Sequence, residues 1–167
     1  MTSCAALPPA PEAMTSGDFP VHWPVLTRWA DNDMFGHLNN AVYYQLFDTA
    51  INGWIAANAP DVDPIAMPEL GVVAESGCRF LGELGFPDRL LVGLAVTRLG
   101  RSSVTYRLGV FRAAEHDAAA PGGDAVGAAG LPVAALGHWV HVYVDRGTRR
   151  PVPIPARVRA VLATAQV

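Results

Sequence analysis

The chain contains no lysine, and all twelve of its basic residues are arginine. That absence excludes a Schiff-base lysine and a phosphate-loop lysine together. Charge is sparse as well: 16% of the 167 residues are charged, and the formal net charge is -3. Nucleic acid is a poor partner for such a balance, because phosphates call for a basic face. Only two cysteines are present, Cys4 and Cys78, too few for a disulfide framework or a CxxC metal site. With Cys4 in a tail and Cys78 in an apolar strand pattern, both read as free thiols of a reducing compartment. No apolar run approaches the roughly 18 residues of a membrane span. The first twenty residues have neither the basic start nor the apolar core of a signal peptide. These absences point to a cytoplasmic protein without a membrane segment, preceded by a disordered tail over residues 1–20.

What is present is a globular composition, 51% apolar, in a length suited to one well-buried domain over 21–167. Val21, Trp23, Val25, Thr27 and Trp29 recur at period two, which predicts a strand over 21–30, with Pro24 confining its first half to an edge. From Asn40 to about Ala57, the apolar positions Tyr43, Leu46, Phe47, Ala50, Ile51, Trp54 and Ile55 keep helical spacing over nearly five turns. Asn39 or Asn40 is a ready N-cap for that helix, and NAPDVDP stops it.

The remainder reads as strands. They are marked by Val72 to Phe80, Leu90 to Val96, Val104 to Val110, and the set Leu136, His138, Val140, Val142 and Val144. RLGRSS is a short hairpin connection between the second and third of these. The Ala/Gly stretch over about 113–130 predicts a flexible loop, and 156–165 a short C-terminal helix. Strand, long helix, then four strands with short connections imply an antiparallel sheet curled around one apolar helix.

The segment TRWADNDMFGHLNNAVYYQLFDTAINGWI, with Asp31, Asp33, Gly36, His37, Asn39, Asn40 and Tyr43 in its motif positions, resembles the N-terminal motif of hotdog-fold acyl-CoA thioesterases of the 4-hydroxybenzoyl-CoA thioesterase type. The resemblance extends through most of residues 21–155. It implies an α+β hotdog fold, in which an antiparallel five-stranded sheet wraps around one long central helix. It also implies hydrolysis of an acyl-CoA to free acid and coenzyme A, the coenzyme being part of the substrate, with no separate cofactor. A homodimer with paired sheets, or a homotetramer, is implied too. By the same resemblance, Asp33 is the catalytic carboxylate, as nucleophile or general base, and the Asn40 backbone N–H is the oxyanion donor. An acyl group borne on acyl carrier protein and a non-catalytic acyl-CoA-binding domain are the competing readings.

The chemistry is consistent with that assignment. Attack on a thioester carbonyl builds negative charge on its oxygen, and the unpaired amides that open a helix supply donors there. A carboxylate in the preceding turn then stands beside them. Asp31 reads as a turn carboxylate, and Asn39 as foremost a cap. His37 is a candidate to orient substrate or water, or a histidine bonded to nearby backbone. Gly36, Asn39 and Tyr43 are substrate-binding candidates, although Gly36 also suits a special backbone geometry, and Tyr43 with Phe47 also suits the core. Coenzyme A phosphates need cationic partners, for which Arg98, Arg101, Ser102 and Ser103 are the candidates, with Arg149 and Arg150 second. His138 and His141 read as structural, and no residue set has metal-ligand spacing.

Overall fold

The computed structural model describes residues 10–113 and 130–167. Its elements are β1 (Val21–Leu26), α1 (Asn40–Asn58), β2 (Glu69–Phe80), β3 (Arg89–Leu99), β4 (Ser103–Arg112), β5 (Ala135–Asp145) and α2 (Ala156–Thr164). The strands form one antiparallel sheet in the order β1-β3-β4-β5-β2. Hairpin connection places β3 beside β4, while β2 closes on β5 at one edge and β1 on β3 at the other.

Helix α1 buries one stripe, Val42, Tyr43, Leu46, Phe47, Ala50, Ile51 and Trp54, against the inner face of this sheet. The fit is close because two glycines remove side chains at the contact. A Cβ on Gly137 of β5 would stand 2.6 Å from the Phe47 ring, and one on Gly53 would stand 2.6 Å from Trp23. The expected fold, a five-stranded antiparallel sheet around one long helix, is the one observed.

Three local expectations differ. First, β1 ends at Leu26 rather than 30, because residues 29–31 turn into a 3-10 helix. The Asp31 carboxylate accepts from the Arg28 amide at 2.7 Å, and such local side-chain bonding competes with the sheet ladder. Second, residues 10–20 are not a disordered tail. They make two 3-10 turns and bury Met14 and Phe19 on the outer face of the sheet, against Leu91, Ala95 and Phe111. That second cover explains why β3 is apolar at nearly every position instead of alternating. Residues 1–9 and the expected flexible loop from 114 to 129 lie outside the described residues. Third, the β5 set from Leu136 to Val144 lies on the outer face. The helix is met instead by the row Ala135, Trp139 and Tyr143, with buried His141 in the same row.

Candidate active site

The two acids of the turn do different jobs. Asp31 is buried, and its carboxylate accepts from the Arg28 amide at 2.7 Å and from the guanidinium at 2.8 Å. Its carbonyl accepts from the Asn39 amide at 2.8 Å, so Asp31 ties the turn to the mouth of α1. Burial opposes its charge, but the Arg28 hydrogen bonds outweigh burial and hold the carboxyl below its usual range. Asp31 is thus the turn carboxylate that its position suggested.

Asp33 is half-buried and held by backbone alone. Its Oδ1 accepts from the amides of Phe35 at 2.8 Å and His37 at 3.2 Å. Its Oδ2 has no hydrogen-bond donor among the described residues. The loop closes through the Asp33 amide on the His37 carbonyl at 2.8 Å and the Gly36 amide on the Asp33 carbonyl at 3.2 Å. Gly36 sits at φ +84, a conformation that side chains resist. One carboxylate oxygen is therefore spent on orientation, and the other is left available.

The loop meets α1 at a defined cap. Asn39 accepts from the Ala41 amide at 3.0 Å through its side chain and from the Val42 amide at 2.9 Å through its carbonyl. Among the first three helical amides, only that of Asn40 is left without an acceptor among the described residues, and the positive end of the helix dipole lies there. The Leu38 amide donates to the Leu84 carbonyl at 2.7 Å, and Asn32 Oδ1 accepts from the Phe86 amide at 2.9 Å. Both bonds brace the loop against the connection between β2 and β3.

Two other motif residues fall differently. The His37 ring is exposed, with Nε2 3.6 Å from Glu83 Oε2, rather than bonded to backbone. Tyr43 belongs to the core: it is buried, with its ring edge-on to Phe80 at 5.0 Å. Burial pushes its phenol up to about 12.

Sequence reasoning missed Glu83, which lies in the β2–β3 connection with no spacing signal to pair it with His37. It also missed an apolar shelf beside the Asp33 loop, on which Trp29, Met34 and Phe35 are 75% or more exposed. Trp29 stacks edge-on with Phe86 at 6.0 Å. The signal was available: three large apolar side chains stand among turn-formers and polar residues.

The hairpin candidates are not brought to Asp33 within one chain. Arg98, Arg101, Ser102 and Ser103 lie at the end of β3 opposite Arg89, about 33 Å along the strand, whereas the Asp33 loop abuts the Leu84 end. The Arg98 and Arg101 guanidinium groups form no ion pair among the described residues. The chain turn at the base of this hairpin is backed by α2, whose Arg159 donates to the Gly100 and Arg101 carbonyls. Among the described residues no His, Cys, Asp or Glu group could hold a metal ion, and no helix is long and apolar enough to cross a membrane.

A five-stranded antiparallel sheet around a central helix, with an acid-bearing turn at that helix's open end, defines a hotdog-fold domain. The chain belongs to the Thioesterase superfamily, whose family model matches residues 35–119, and it is a thioester hydrolase. The matched segment begins two residues after Asp33. The chain is 36% identical to the PA5185 protein from Pseudomonas aeruginosa strain PAO1, covering 91% of this chain and 95% of that one, with a TM-score of 0.78. It is 28% identical to a thioesterase from Thermus thermophilus that was crystallised with coenzyme A and zinc, covering 88% and 95%, with a TM-score of 0.63. Slr0204, a 1,4-dihydroxy-2-naphthoyl-CoA thioesterase from Synechocystis, shares the fold at 16% identity, covering 85% and 94%, with a TM-score of 0.69. No curated protein matches the chain.

Proposed function

We propose that the protein hydrolyses an acyl-CoA to free acid and coenzyme A, with Asp33 as nucleophile or general base and the Asn40 amide as oxyanion donor. The observation that carries this reading is the division of labour at the turn. Asp33 Oδ1 is fixed by two amides while Oδ2 accepts nothing among the described residues, and the Asn39 cap serves Ala41 and Val42 but not Asn40. A carboxylate oxygen and an amide hydrogen are thereby both unspent at one helix end, as addition to a carbonyl requires.

Coenzyme A as the leaving group is supported by the guanidinium groups of Arg98 and Arg101, which have no ion-pair partner among the described residues and suit phosphates. Their distance from Asp33 in one chain calls for a second copy. The two sheet edges differ in what they offer one. Edge strand β1 has six residues and carries Pro24, which lacks an N–H. Edge strand β2 has twelve residues and no proline, and exposes Val73. Pairing through β2 into a homodimer covers the edge that would otherwise invite uncontrolled association.

The test is thiol release from a graded panel of acyl-CoAs by wild type and by Asp33→Asn. Asparagine retains Oδ1 as acceptor for both loop amides but removes the charge. Turnover is expected to fall on the order of 10² to 10⁴ in a protein of unchanged oligomeric state. Wild-type turnover by the variant on every responsive substrate would refute the role of Asp33.

A further inference from the structure

Far from the Asp33 turn, a cavity of about 190 Å³ opens between the second half of α1, β2, β5 and α2. Its apolar wall includes Ile55, Leu70 and Val158, and four polar side chains interrupt it: Asn52, Glu69, His141 and Tyr143. His141 is 4% exposed, and its Nε2 is 2.8 Å from the Trp139 indole nitrogen. An indole N–H only donates, so Nε2 must be the acceptor, and a neutral ring then carries its proton on Nδ1. That Nδ1–H has no hydrogen-bond partner among the described residues and is not one of their fully buried unpaired atoms, so it stays open to an acceptor. Nε2 being turned to Trp139, which does not line the cavity, Nδ1 is the ring's polar atom toward it. Tyr143 is buried as a residue, and its hydroxyl makes no hydrogen bond among the described residues.

We infer that this cavity receives the distal end of the acyl group, and that the His141 Nδ1–H, locked by Trp139, selects acyl groups carrying a neutral oxygen acceptor there. The inference rests on the acyl-CoA reading above and deepens it. Size limits the guest: a cavity of roughly 150 Å³ admits benzene, so a single ring or a short branched chain fills this one. Charge limits it too. Burial lowers the His141 pKa to about 4, so the ring offers a neutral donor, and Glu69 rather than any arginine completes the lining. A hydroxyl, ether or ketone fits, and a carboxylate does not.

Geometry says whose substrate it is. Asn52 lies twelve residues beyond Asn40, about 18 Å along the helix, too far for a short acyl group held by the same chain's turn. Two-fold pairing of β2 with its copy reverses the direction of the second α1. The far half of one helix then lies beside the opening turn of the other. The cavity and the Arg98 and Arg101 pair would thus both serve the partner's Asp33.

The test compares hydroxyphenylacetyl-CoA with phenylacetyl-CoA. Wild type is expected to favour the oxygen-bearing member by about tenfold in kcat/KM, the worth of one net hydrogen bond. His141→Leu should bring the ratio near one, and His141→Asn, which keeps a donor near the Nδ1 position, should restore part of it. Mixed dimers of Asp33→Asn and His141→Leu should regain both activity and preference, since one of their two sites would be intact if the parts are shared across chains. Equal ratios in wild type and His141→Leu, or mixed dimers no better than their parents, would overturn the inference. Binding of phenol over benzene by ligand-observed NMR, lost in His141→Leu, reads the cavity without turnover. Failure of the acyl-CoA reading is therefore distinguishable from failure of this one.

Discussion

The buried imidazole of His141 makes stability depend on pH in a defined window. Burial is the main cause that lowers its pKa from 6.5 to about 4, with the Asp48 charge opposing. In the unfolded chain the ring takes up a proton as pH falls below about 6.5, whereas the folded chain resists until about pH 4. Acid therefore favours the unfolded state over that interval. The contribution to stability is full above pH 6.5 and is lost as pH falls toward 4. Working from those two values, the loss is about 2 kcal/mol by pH 5 and about 3 kcal/mol once the folded ring protonates. Urea unfolding followed by tryptophan fluorescence at fixed protein concentration, at pH 7.5 and pH 5, measures the difference. His141→Asn removes the titration, so its fall in stability between those pH values should be smaller than that of wild type by about 2 kcal/mol. An equal fall in both proteins, or a His141 resonance titrating near 6.5 by NMR, would refute the reasoning.

Gly137→Ala places a methyl 2.6 Å from the Phe47 ring, and overpacking there should cost about 1–3 kcal/mol, read as a lower thermal midpoint. Asn39→Ala removes the side-chain acceptor of the Ala41 amide and should cost about 1 kcal/mol in denaturant unfolding. Asp31→Ala strips a buried acceptor from the Arg28 amide and should cost about 1–3 kcal/mol. Because the Asp31 carboxyl is held below its ordinary 3.8, its stabilisation is present above that value and lost as pH falls below it. The wild-type excess over Asp31→Ala should shrink at pH 3, and an excess as large as at pH 7 would contradict the pairing with Arg28.

Several features follow from the chain's own chemistry. Helix α1 is written in local terms, by apolar spacing from Tyr43 to Trp54, an asparagine cap and a stop sequence, so it is found within a residue of its expected bounds. The four later strands are likewise periodic, and Gly36 announces the positive φ that closes the Asp33 turn. Period two identifies a strand but does not choose which of two apolar rows faces the helix, and for β5 the packing of Phe47 over Gly137 decides. Met14 and Phe19 look like tail residues until the outer face of β3 and β4 is assembled beneath them. Glu83 beside His37, and the separation of the arginine hairpin from Asp33, are likewise invisible along the chain. Local propensity and periodicity act within a few residues of one another, so they are legible in sequence. Contacts between residues tens of positions apart exist only once the sheet has fixed its register, and those contacts allot Asp31 to structure while leaving an oxygen of Asp33 unspent.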